Sequence, residues 1–106
     1  MSDTKGLPGK PFAVRITKED VRYAQRQSTR SCILARLLRR VVPDAVEVHA
    51  QYGYAGVRYP HSRWHFWTHD AGDVVDAFDE GVPRAIADAW VGRRVRFRPL
   101  KEGGWA

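Results

Sequence analysis

The sequence holds one cysteine, Cys32, and one methionine, Met1, has fewer acids than bases, and contains no apolar run near the roughly 20 residues that a membrane-crossing helix needs. A single cysteine cannot form an intramolecular disulfide, which excludes a small scaffold held by staples and suits a reducing cytoplasm. The first eleven residues carry Gly6, Pro8, Gly9 and Pro11 but no apolar core of a secretory leader, so they read as a flexible arm. A phosphate-cradling glycine loop, a nucleophile elbow and an HExxH pair are also missing, and with them the usual signatures of a small enzyme. No internal repeat or low-complexity tract is found.

The 106 residues are 43% hydrophobic and include four each of Trp, Tyr and Phe, enough to build one core without a metal or disulfide. Lys and Arg number 18 against 12 Asp and Glu, a formal charge of +6 that draws polyanions: nucleic acid, or an acidic protein surface. Arginine outnumbers lysine among these bases, and its planar fork suits bidentate contact with phosphate or carboxylate.

The alternation of Phe12, Val14 and Ile16 with Ala13 and Arg15 predicts a strand. Thr17 and Asp20 have capping-box spacing, with Ile16 and Val21 as staple, and predict a helix from Lys18 to Gln27. Ser31 stands where it could cap a second helix, Cys32 to Val42, stopped by Pro43; Leu34, Leu38 and Val41 face inward and Arg36, Arg39 and Arg40 outward. Val46 and Val48 begin a hairpin that turns at Tyr52, Gly53 and Tyr54 and returns through Ala55, Val57 and Tyr59. After a turn at Pro60, His61 and Ser62, Arg63 to Trp67 reads as a third strand whose rings cover both faces of the sheet. Thr68 or Asp70 is the expected cap of an acidic helix with Val74, Val75 and Phe78 inward and Gly81 as its stop. Pro83 to Trp90 reads either as a helical turn or as a loop. Arg93 to Arg98 predicts a last strand with Val95 and Phe97 on one face and Arg94, Arg96 and Arg98 on the other.

The segment ITKEDVRYAQRQSTRSCILARLLRR, the three short strands, DVVDAFDEG, a proline and the closing RVRFRP resemble a widespread group of small bacteriophage (actinobacteriophage-like) proteins of unassigned function. The resemblance spans roughly Ile16 to Arg98. It implies a phage or prophage origin, and it carries over no catalytic residue.

His61, His65 and His69 recur every four residues, but on a strand His61 and His65 stand about 13 Å apart, too far to share an ion, so no metal is expected. Cys32 on an amphipathic helix is a buried thiol with no histidine base beside it. Asp73, Asp76 and Glu80 have the spacing of a solvated helix face. The arginines remain. Arg36, Arg39 and Arg40, together with Arg94, Arg96 and Arg98, would suit stacked bases and phosphates if both groups met the rings of Tyr52, Tyr54, Trp64 or Trp67 on one face. The same side chains also suit a protein interface.

The expectation is an α+β domain: a twisted antiparallel sheet of three to five strands with two or three helices packed mainly on one face. Residues 1–11 are the arm, 12–99 the domain and 100–106 a tail from which Trp105 could fold back. The expected function is a non-enzymatic, cytoplasmic accessory protein without a cofactor or membrane contact. It would bind nucleic acid with little sequence discrimination. The alternatives are binding a protein so as to inhibit or redirect it, a nucleotide sponge, a virion component, and self-association as a homodimer.

Overall fold

A computed structural model describes residues 10–26, 28–61 and 63–100. Its elements are β1 (Phe12–Arg15), α1 (Lys18–Arg22), α2 (Ile33–Val41), β2 (Glu47–Ala50), β3 (Tyr54–Arg58), β4 (Trp64–His69), α3 (Gly72–Glu80), α4 (Arg84–Asp88) and β5 (Arg94–Pro99). The five strands form one antiparallel sheet in the order β1-β5-β4-β3-β2, an α+β fold as the alternation of periods two and 3.6 predicts. The expected arm through Gly9, Gln27, Ser62 and the tail from Lys101 with Trp105 lie outside the described residues.

Period two decides which side chains are buried. Register pairs Phe12 with Phe97, Val14 with Val95, Ala55 with Trp67 and Val48 with Val57, so these eight share one face, and all are buried. Against that face lie Ile33, Leu34, Leu37 and Leu38 of α2 and Val74 and Phe78 of α3. Burying each such side chain contributes about 1.5–3 kcal/mol. Phe12 stacks on Phe97 at 4.6 Å and meets the edge of Trp67 at 5.2 Å, which ties β1, β5 and β4 together.

The helices depart from expectation mainly at their ends. Thr17 and Asp20 form the full capping box, but α1 stops at Arg22. Tyr23 turns outward there beneath the Arg36 guanidinium, 5.4 Å from its ring centre. α2 begins at Ile33 after Cys32, not at a Ser31 cap; Ser28 Oγ instead accepts the Ser31 N–H and shapes the turn before it. Burial pushes the Cys32 thiol above its usual range. Neither Thr68 nor Asp70 caps α3: β4 runs on to His69, and the Asp70 carboxylate accepts the Arg96 N–H. Gly81 ends α3 in the left-handed conformation, φ 94°, which an L side chain adopts only under strain. The ambiguous segment after Pro83 contains the short helix α4.

Trp67 is fully buried, and its indole N–H donates to the Lys10 carbonyl at 3.0 Å, so the anchored chain begins earlier than Phe12. The chain trimmed of residues 1–9 keeps that acceptor. Deleting 1–10 removes that acceptor and should lower stability by about 1–3 kcal/mol, the range for a buried donor left unpaired. Equal melting curves for the two truncations would remove Lys10 from the fold.

His69 closes the other end of β4. Its Nδ1 accepts the Ala71 N–H at 3.1 Å, so Nε2 carries the proton and donates to the Gln51 carbonyl at 2.6 Å. Burial holds its pKa below the ordinary 6.5, against the opposing pull of the Gln51 bond and of Asp70 and Asp73. Below pH 6.5 the unfolded chain therefore takes up a proton that the folded chain refuses. Stability should fall as pH drops from 6.5 toward the folded value, and His49, also lowered, adds in the same sense. Melting curves between pH 7.5 and 5 test this: His69→Gln should flatten the slope, and an unchanged slope would refute the assignment.

Candidate functional site

Among the described residues the second face of the sheet carries no helix. Alternation places Arg94, Arg96 and Arg98 of β5 there, all exposed, while Val95 and Phe97 point into the core. Arg15 of β1 pairs directly with Arg94, and Thr68 of β4 with Arg98. The side chains of Arg94, Arg96 and Arg98 make no ion pair among the described residues. The nearby carboxylate is Asp70, held on the backbone N–H of Arg96 at 2.9 Å.

Beside this row the same face carries rings. Register sets Tyr54 against Thr68, Gly56 against Phe66 and Arg58 against Trp64 on β3 and β4, with His49 of β2 opposite Gly56. His49, Tyr54, Trp64 and Phe66 line an open cleft of about 330 Å³. Trp64 and Phe66 are nearly parallel, 16° between planes with centres 5.7 Å apart, and His49 and Tyr54 lie 27° apart at 6.0 Å. Gly56 makes the floor possible, because a Cβ there would stand 2.4 Å from the Phe66 ring. Burial first, and the charge of Arg30 second, lower the pKa of His49. Arg58 and Arg30 both pair with Glu47 at the margin of this face, the former through Nε at 2.8 Å, which neutralises much of their charge.

The two expected arginine groups do not converge. Arg36, Arg39 and Arg40 lie on α2, across the sheet from the row on β5. Arg40 donates to the buried Asp20 carboxylate at 3.0 Å and to the Arg15 carbonyl at 2.8 Å, and so ties α2 to α1 and β1. Arg36 covers Tyr23, and its Nε is buried without a hydrogen-bond partner. Arg39 is exposed at a separate groove with Val42, Pro43 and Val46. Among the rings, Tyr54 and Trp64 join the open face. Trp67 belongs to the core, and Tyr52 packs over the start of α3, its ring 3.2 Å from where a Cβ on Gly72 would stand. Phe66, His49 and Arg15 are additional members. Phe66 was legible: strict alternation pairs it with Trp64 and sends Trp67 to the other side.

Arg93 grips Asp73 through two bonds, 2.7 and 2.8 Å, and the Asp70 carbonyl at 3.1 Å, fastening the start of α3 to β5 and holding the Asp73 carboxyl below its usual range. Among the described residues no group of three or more His, Cys, Asp or Glu side chains could hold a metal ion, and no helix is long and apolar enough to cross a membrane.

The chain is thus an α+β domain whose antiparallel sheet has helices on one face and arginines beside rings on the other. Comparison with known protein families, with curated proteins and with solved structures returns no match.

Proposed function

We propose that the chain is a non-enzymatic accessory protein that binds nucleic acid on the open face of its sheet, with Arg98, Arg96 and Arg94 meeting phosphates in series and little discrimination among sequences. The observation that carries this reading is the sharing of one helix-free face by the arginine row and the Tyr54, Trp64, Phe66 and His49 ring group. Arginines two residues apart on a strand stand about 6–7 Å from each other, near the phosphate spacing of an extended strand. The resemblance to small bacteriophage proteins bears on origin and adds no residue to the site.

Each phosphate contact releases condensed counterion, so replacing Arg94, Arg96 and Arg98 together with glutamine should reduce the log–log salt slope by up to about two on single strands. Folding should survive, because Val95 and Phe97 supply the packing of β5. Binding of a labelled oligonucleotide from about 50 to 200 mM salt is the measurement. Identical slopes, or no binding by the parent at the lowest salt, would overturn the reading. Asp70→Asn keeps an oxygen for the Arg96 N–H but removes the negative charge beside the row. It should tighten binding by about twofold to fivefold at low salt, an effect that fades as salt screens it.

One observation favours a second reading, an acidic protein partner. Lys18 and Arg22 of α1 and Arg84 of α4 line a cleft of about 450 Å³ with Asp88 as the carboxylate among its lining residues, and exposed Ile86 lies on the same short helix. Under that reading, glutamate at positions 22 and 84 abolishes capture of an acidic partner and leaves oligonucleotide binding unchanged.

A further inference from the structure

Resting on the nucleic-acid reading above, we infer that the polymer is single-stranded, with one unstacked base seated among His49, Tyr54, Trp64 and Phe66 and the phosphates beyond it running along Arg98, Arg96 and Arg94. In a duplex both faces of every base are covered by stacked neighbours, so a ring-lined cleft has nothing to receive; an unpaired base presents both faces and gains from stacking on aromatic side chains. The cleft's volume, about 330 Å³, admits one base with its sugar. Its floor is shaped for a flat occupant, since Phe66 lies over the bare backbone of Gly56 and Trp64 is within 16° of parallel to it. His49 adds polar recognition: with its pKa lowered by burial and Arg30, the imidazole is neutral at pH 7 and offers one donor and one acceptor to a base edge.

The track is continuous. Thr68 pairs with Arg98 on one side and Tyr54 on the other, so Arg98 and the cleft are separated by two strand spacings, about 10 Å, a gap that an arginine side chain and one sugar–phosphate span. From Trp64 to the level of Arg94 is eight residues along the sheet, about 26 Å, which accommodates about four nucleotides in extended form. Arg58 and Arg30, paired with Glu47, flank the cleft and leave the charge gradient pointing toward β5. A base at one end and phosphates at the other give the strand a fixed position on the sheet without requiring a particular sequence.

The test is fluorescence anisotropy with an eight-nucleotide single strand, its duplex with the complement, and the same single strand made abasic at every position, at about 50 mM salt. The single strand should bind at least tenfold tighter than the duplex, and the abasic strand, equal in charge, should lose about tenfold. Trp64→Ala should lose about tenfold on the single strand and nothing on the abasic one, while Trp64→Phe keeps most of the affinity. The glutamine triple variant should weaken single, double and abasic strands alike. Equal affinity for duplex and single strand, or for abasic and intact strands, overturns this inference while leaving nucleic-acid binding in place. No binding of any of the three by the parent overturns the underlying reading. The abasic comparison uses unaltered protein, so a variant that folds poorly does not blunt it.

Discussion

Truncating Trp67 to alanine should lower stability by about 3–5 kcal/mol, the usual loss when a fully buried aromatic is cut away. In a domain of this size that corresponds to a fall of about 12 °C or more in melting temperature. Three losses combine there: the packing of the ring against Phe12, the cavity left between sheet and helices, and the hydrogen bond to the Lys10 carbonyl. Trp64→Ala, three residues earlier on the opposite face, should change stability by less than about 1 kcal/mol, because that ring is half-exposed and meets only neighbours on an open surface. Thermal melts of the two variants side by side check the assignment of faces. Similar losses would mean that the rings of the open face also hold the fold together.

Arg40→Ala should cost about 2–3 kcal/mol, at or just below the bottom of the roughly 3–5 kcal/mol range for breaking a buried ion pair, because the Arg40 side chain is 34% exposed while that of Asp20 is 4%. The destabilisation arises from Asp20, left as an uncompensated carboxylate inside the capping box of α1. Adding Asp20→Asn to Arg40→Ala should therefore restore part of the stability, since the amide keeps an acceptor for the Thr17 N–H without a buried charge. Under the nucleic-acid reading proposed above, affinity of the folded Arg40→Ala protein should stay within about twofold of the parent, whereas replacing an arginine in the row on β5 should lower affinity with little change in stability. Loss of affinity with full stability in Arg40→Ala would return α2 to the binding surface.

The strands were legible because their periodicity is clean. Phe12, Val14, Val95 and Phe97 are all buried where alternation put them, and the arginines between them are all on the other face. The sheet's order was not legible: nothing local in Phe12–Arg15 indicates that its partner is Arg94–Pro99, some 80 residues later, and not the neighbouring hairpin. The same long-range pairing decides the site. Arg36, Arg39 and Arg40 are as basic as the row on β5, and only the packing of α2 against the core face separates them from it. Tyr52 and Trp67 failed for different reasons: a turn residue has no strand period to fix its direction, and Trp67 has one that points inward. His49 was hidden because its ring matters through Tyr54 and Trp64, which belong to two other strands.

The strand order also dictates when the domain can be finished during synthesis. β5 lies between β1 and β4 but is the last of these five strands to be made, so β1, made before the other four, has no neighbour in this sheet until Arg94–Pro99 has emerged. Through that interval, about 5–20 s at ordinary elongation rates, Phe12, Val14 and Ile16 can pack on helix side chains such as those of α2 but have no strand beside them. The β2–β3–β4 meander can pair as it appears, whereas the arginine row reaches its place in the concluding step, when β5 inserts and closes the gap. A chain that stops short of Arg94 therefore lacks both the strand that joins β1 to β4 and the arginine row of the open face.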